Sequence, residues 1–241
     1  LFNQYRDLSL EEFVQSLNFT GPQIELLKNQ LPLDWHTRVP DLRNHESFAA
    51  LCAEPLFADM YETQQVNQNR NLRSYLGSFA IDFSEHGMHM VDVGWKGSIQ
   101  NNIYYALQGE ISLHGYYVGL LSPTELRANN RKTGILFSDY PNHSPYIHVF
   151  NNNRSLYEMM LGASHGSADG YFRTDEWEES STQRDAHINC WVGDSDPIGV
   201  ATLDLPEERR LFSEQIKPLQ TVFWETFTAI TAAVIHAGVS H

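Results

Sequence analysis

Hydrophobic positions along this chain follow a helical period first, a strand period in the middle and a helical period again at the end. Ser9 stands three residues before Glu12, ahead of Phe13, Val14 and Leu17. That spacing lets two side chains satisfy the free amides of a first turn, so it predicts a helix beginning at Ser9. Thr20-Gly-Pro-Gln-Ile predicts a second helix, with Pro22 in its first turn and Leu26 and Leu27 on the inner face. Residues 31 to 45 carry two prolines and read as a loop. From Glu46 to about Leu76 the period is helical again, with Phe48, Leu51, Cys52, Leu56, Met60, Val66, Leu72, Tyr75 and Leu76 directed inward.

The central pattern is different. The apolar run from Met88 ends at Asp92 and breaks into Gly94-Trp-Lys-Gly-Ser98, after which Ile99, Ile103, Ala106 and Leu107 recur at helical spacing. Residues 111 to 121 read as a return strand. The result is a strand–turn–helix–strand unit whose turn lies at the carboxyl edge of a sheet, where open α/β folds bind ligands. Downstream, the pattern predicts a polar loop over 123–134, an apolar strand over 145–150 and a short helix over 154–162. A small-residue turn over 162–170 and an acidic surface loop over 173–187 follow. The helical segment from Pro206 to about Ala237 should be kinked or divided at Pro218, which lacks an amide donor. The fold class expected is α/β, a Rossmann-like, mainly parallel sheet with a helical N-terminal region (1–80), an α/β catalytic region (81–241) and C-terminal helices.

Composition narrows the function. The chain has 241 residues, 41% of them hydrophobic, enough for a substantial core. A net charge of −14 argues against a general nucleic-acid surface, which needs basic stripes to displace counterions. Cys52 and Cys190 lie far apart, indicating neither a zinc ribbon nor a disulfide scaffold and fitting a reducing, cytoplasmic setting. No apolar run approaches the roughly 20 residues of a membrane span. Leu1 in place of Met, with no leader-like segment after it, reads as a region excised from a longer polypeptide.

Several residues invite chemistry. Amides at Gly97 and Ser98 would open the helix start, where the helix dipole favours an anion; Lys96 would add a full charge, and Gly94 and Gly97 would let a ligand approach. Trp95 could stack on a sugar or base, and Gln100 belongs to the same candidate substrate-binding group. The plain alternative is a strand-to-helix turn whose glycines only solve a backbone problem. Arg70 and Arg73 share a helix face and could hold a diphosphate, although solvated surface arginines are the commoner explanation. Glu158 and His165, the latter with Ser167 in the glycine turn, could take a proton from a hydroxyl, although on the residues alone a helix-surface acid and a plain loop histidine are the favoured readings. His86, His89 and Asp92 recur every three residues, but strand alternation sets His89 opposite Asp92 and argues against a shared metal. Val192-Gly-Asp-Ser-Asp196 lacks the context of a phosphatase nucleophile, and no Gly-X-Ser-X-Gly elbow occurs.

Three blocks are nevertheless familiar together: Val91 to Gln100 with Gly115-Tyr-Tyr-Val-Gly119, Leu156 to Ser167 with Gly170-Tyr171, and Phe212 to Gln220. They resemble the carboxyl-terminal part of bacterial surface-polysaccharide proteins that carry a haloacid dehalogenase-like domain ahead of it. The resemblance implies a glycosyltransferase moving 5-phosphoribosyl from phosphoribosyl diphosphate to a glycan, covalently linked to a phosphatase-like domain. It implies Asp92, Glu158 and His165 as catalytic candidates. Mg²⁺ on the donor diphosphate would be the cofactor, and the inner face of the membrane a working location. A nucleotide-sugar donor and a non-catalytic glycan-binding or scaffold module, whose Trp and Tyr residues, including Trp95, Tyr116 and Tyr117, stack on sugars, are the competing expectations.

Overall fold

The computed structural model describes residues 7–79, 81–122, 125–163, 168–173, 186–192, 198–203 and 206–237. It is mixed α/β and divides into two units, one of residues 1–80 with 166–204 and the other of 81–165 with 205–241. The chain therefore leaves the second unit and returns to the first, so residues 166–204 do not belong with the α/β region as the sequence pattern implied.

In the first unit, α1 (Leu10–Ser16) starts at Ser9 with the reciprocal bonds expected: the Glu12 amide donates to Ser9 Oγ at 3.1 Å and the Ser9 amide to Glu12 Oε2 at 2.8 Å. Helix α2 (Gly21–Gln30) buries Leu27 but leaves Leu26 half in solvent. The proline segment that follows is not a mere connector. It contributes Trp35 and, from a short 3₁₀ turn at Leu42–Asn44, Leu42 to a core with Phe13, Leu27, Phe48, Leu51 and Phe57. The long helical period after Glu46 is split at Glu54, before Pro55, into α3 (Glu46–Ala53) and α4 (Pro55–Gly77), because a residue preceding proline is pushed out of helical conformation. Cys52 and Val66 prove exposed, so the inward assignment fails there.

Three strands absent from the sequence reading complete this unit as an antiparallel sheet: β4 (Ala168–Arg173), β5 (Ala186–Val192) and β6 (Ile198–Leu203), in spatial order β4-β6-β5. The edge strand β4 is covered by polar side chains of α4. Gln68 Oε1 accepts from the Tyr171 amide at 3.0 Å, and fully buried Asn71 donates to the Tyr171 carbonyl at 3.1 Å. Side-chain amides thus occupy backbone groups that a further strand would otherwise pair.

The second unit is built on the strand–turn–helix–strand motif. After the one-turn helix α5 (Phe83–His86), β1 (Met88–Asp92) leads through the 93–97 loop into α6 (Ser98–Ala106) and back to β2 (Leu113–Leu120), parallel to β1. A third parallel strand, β3 (Asn130–Ser138), pairs with β2. It takes up the end of the segment read as a polar loop, because Asn130, Arg131 and Lys132 are polar yet in the ladder. Conversely, the apolar stretch read as a strand over 145–150 lies largely in the helix α7 (Ile147–Asn152), followed by α8 (Arg154–Leu161). Being central, β2 is buried along nearly its whole length, as a parallel strand with both faces covered should be. Helix α9 runs unbroken from Glu207 to His236 with Pro218 inside it, so the expected division does not occur. Its Phe227 packs with Trp95, Val118, Phe137, Ile147 and Leu161 into the core of this unit. Among the described residues no helix is long and apolar enough to cross a membrane.

Candidate active site

The carboxyl edge of the parallel sheet collects the chemistry of the second unit. Asp92 ends β1, level with Tyr117 of β2, on the face that carries α6. Its carboxylate is half-buried; the Gly94 amide donates to Oδ1 at a long 3.4 Å. Desolvation outweighs the backbone donors at Gly94 and Val93 and holds the Asp92 carboxyl above the ordinary aspartate range. Burial, with the charge of Asp92 nearby, in turn pushes the Tyr117 phenol upward.

Beyond Asp92 the loop turns at Gly97, whose φ of 67° is a left-handed conformation that suits glycine. A β-carbon there would stand 2.4 Å from Lys132 Cε and 2.7 Å from the Tyr117 hydroxyl. As the N-cap of α6, Gly97 offers no side chain to its first amides, which leaves them to an anion or to water. Lys96 and Ser98 are exposed on either side.

Two substrate-binding expectations are corrected at this loop. Trp95 is a core residue, stacked on Phe137 at 5.5 Å between ring centres and edge-on to Tyr157 at 5.9 Å. Its indole N–H donates to Glu158 Oε1 at 2.8 Å. Trp95 therefore anchors the loop from below instead of presenting a stacking surface, and Glu158, expected as a base, holds that anchor in place. The backbone of Gly119 explains how the indole fits: a β-carbon there would collide with both the Phe137 and Trp95 rings, at 2.1 and 2.6 Å.

Gln100 is the second correction. It is 1% exposed, accepts from the Tyr117 hydroxyl at 2.6 Å, and donates to Asn130 Oδ1 at 2.6 Å and to the Arg131 carbonyl at 2.9 Å. Asn130 donates onward to Asn101 Oδ1 at 2.9 Å, and that oxygen also accepts from Lys132 Nζ at 2.7 Å. Burial holds the Lys132 ammonium below the ordinary lysine range. This buried polar chain fixes α6 against β2 and β3, and so fixes the direction of the helix start. Sequence gave no hint of it, since Gln100 and Asn101 on a helix read as surface positions.

Ser122, Asp139 and His143 lie at the same edge and were not singled out from the sequence. Asp139 follows β3; its Oδ1 lies 2.6 Å from His143 Nδ1 and its Oδ2 accepts from Ser122 Oγ at 3.1 Å. These bonds hold the Asp139 carboxyl below the usual range, His143 contributing most. A carboxylate on Nδ1 fixes the imidazole and leaves Nε2 for proton transfer. The clue available in the sequence was an Asp and a His four apart after an apolar run.

Arg70 and Arg73 lie on α4 in the first unit, where their Nε atoms donate to Asn71 Oδ1 at 3.4 Å and to Asn69 Oδ1 at 3.0 Å. The structure thus gives both guanidinium groups local partners and assigns them to a different unit from Asp92. His165 and Ser167 lie outside the described residues, as does the 193–197 segment. Among the described residues no group of three or more His, Cys, Asp or Glu side chains is gathered for a metal. Mg²⁺ carried by a diphosphate needs only one or two protein carboxylates, its other ligands being phosphate oxygens and water. Asp92, poorly supplied with donors, fits one such position. No protein-family model and no curated protein sequence matches this chain.

Proposed function

We propose that this chain is a glycosyltransferase of bacterial surface-polysaccharide assembly, transferring 5-phosphoribosyl from phosphoribosyl diphosphate to a glycan hydroxyl on the cytoplasmic side of the membrane. The carrying observation is the desolvated carboxylate of Asp92 at the end of a parallel strand, beside a helix start whose first amides have no capping side chain. The choice of donor, the glycan acceptor and the covalently linked phosphatase-like domain rest on the sequence resemblance.

In this reading the acceptor oxygen attacks the anomeric carbon while the bond from that carbon to diphosphate breaks, its electron pair leaving with the diphosphate. Lys96 and the amides at Gly97 and Ser98 hold the growing negative charge, which is worth most where the donors are already oriented. Asp92 receives the acceptor proton; a carboxylate whose basicity burial has raised is better suited to that task than an ordinary one. His143, fixed by Asp139, is the alternative proton acceptor at the same edge. Mg²⁺, when bound with the donor, would further neutralise the diphosphate; Asp92 is the residue that would hold it in the version of this reading where His143 takes the acceptor proton.

For the glycan-binding alternative, Trp95, Tyr116 and Tyr117 are buried, so any stacking on sugars would fall to other rings such as the exposed Tyr105, Tyr140 and Tyr146. The test is incubation of the whole chain with phosphoribosyl diphosphate and oligosaccharide acceptors, scored by release of diphosphate and by mass gain of one phosphoribosyl unit. We expect Asp92→Asn to abolish product while the circular dichroism spectrum persists. A fully active Asp92→Asn protein would refute the assignment of Asp92. Inertness of the wild type toward a broad acceptor panel would count against the transferase.

A further inference from the structure

We infer that the second unit carries a separate binding site for an organic phosphate of about nucleotide size, on the sheet face opposite α6. A cleft of about 1000 Å³ opens there, at the upper end of the range for small-molecule sites. Strand alternation builds its floor: His89 of β1 pairs in register with His114 of β2, and His114 with Arg131 of β3, so the three side chains form one row across the sheet. The two imidazoles lie 5.0 Å apart between ring centres, and His89 stacks on Tyr116 at 5.8 Å. Neither imidazole hydrogen-bonds to another described residue.

The charge of the cleft opposes that of the protein. Arg131 supplies its charge: Arg127 and Lys132 reach the lining too, but their charged ends turn to Tyr105 and Asn101 of α6, and no carboxylate lines the cleft among the described residues, although the whole chain carries −14. The Arg131 Nε donates to the Ala128 carbonyl at 3.1 Å, and no described carboxylate pairs with its guanidinium. Glu125, the nearby acid, is engaged by the Tyr105 hydroxyl and lies 4.0 Å from Arg127 Nε. Burial, then His89 and Arg131, hold His114 below the ordinary imidazole range, as a surplus of positive field should. A guanidinium fork flanked by two imidazoles matches phosphate oxygens. Leu126, Val234 and Ile235 supply an apolar wall for the remainder of the ligand, so the cleft suits an organic phosphate better than a bare inorganic ion.

This site is independent of the transferase reading, because Asp92 and the helix start lie on the other face of the sheet. The experiment is a titration of the whole chain, followed by the NMR signals of the histidine rings, with pyrophosphate, with the nucleoside diphosphates ADP and UDP, and with uncharged adenosine. Saturable shifts of the His89 and His114 signals are expected with ADP or UDP, weaker ones with pyrophosphate and none with adenosine. Arg131→Gln, at an exposed side chain, should weaken binding at least about tenfold; His114→Asn should do the same, and Asp92→Asn should bind like the wild type. Absence of any histidine response, or equal binding of adenosine, would overturn the phosphate assignment. A response lost in Asp92→Asn but kept in Arg131→Gln would move the anion to the loop and overturn the cleft.

Discussion

Replacing Gln100 by Leu separates a residue that builds the site from one that binds substrate. The side chains are similar in volume, so the change removes polar partners without opening a large cavity. It strands the Tyr117 hydroxyl and Asn130 Oδ1, both in residues 1% exposed, and removes the donor to the partly buried Arg131 carbonyl. An unsatisfied buried group costs ~1–3 kcal/mol, so two fully buried groups give ~2–6 kcal/mol. Access of water to the third, and the gain from burying an apolar side chain, set the expected loss near ~3 kcal/mol. That is about a hundredfold in the folding equilibrium. Urea denaturation followed by tryptophan fluorescence measures it directly, with an unchanged m-value confirming that the unfolded state is unaffected. A loss below ~1 kcal/mol would show that Tyr117 and Asn130 find other partners and that the polar chain does not hold α6. Loss of donor affinity with full stability would return Gln100 to the substrate.

Two further outcomes test the loop. Because the Asp92 carboxyl is held above its unfolded range, the native state binds the extra proton. Stability from this group is therefore present in acid and is lost as pH rises through the folded pKa. Asp92→Asn should accordingly be at least as stable as the wild type at neutrality, with a flatter dependence of the urea midpoint on pH; a wild type that gains stability relative to Asp92→Asn over that rise would contradict the desolvation argument. Gly97→Ala forces a side chain into a left-handed conformation, at ~1–2 kcal/mol, and against Lys132 and Tyr117, at ~1–3 kcal/mol more. A combined loss of ~2–5 kcal/mol in thermal or urea unfolding is expected, and an unperturbed midpoint would mean that the loop adopts another path.

What the sequence determined by itself are the features that depend on neighbours a few residues apart. The Ser9–Glu12 cap, the helix start after Gly97, the two parallel strands flanking α6 and the position of Asp92 at the end of the first were all readable, because each is set by local spacing, capping and backbone freedom. Tertiary structure decided the rest. Asn130-Arg-Lys132 reads as loop until β2 pairs with it, since a polar strand is stabilised by a ladder that no window of sequence contains. Residues 145–150 show the reverse: an apolar stretch read as strand lies largely in a helix packed on that sheet. Trp95 and Gln100 are chemically equal to ligand-binding residues in isolation. Only the arrival of Phe137, Glu158 and Asn130, 30 to 63 positions away, makes one a core anchor and the other a buried brace. Likewise the row of His89, His114 and Arg131 exists because parallel pairing aligns residues from three separate segments, a relation fixed by hydrogen-bond register and invisible to spacing along one chain.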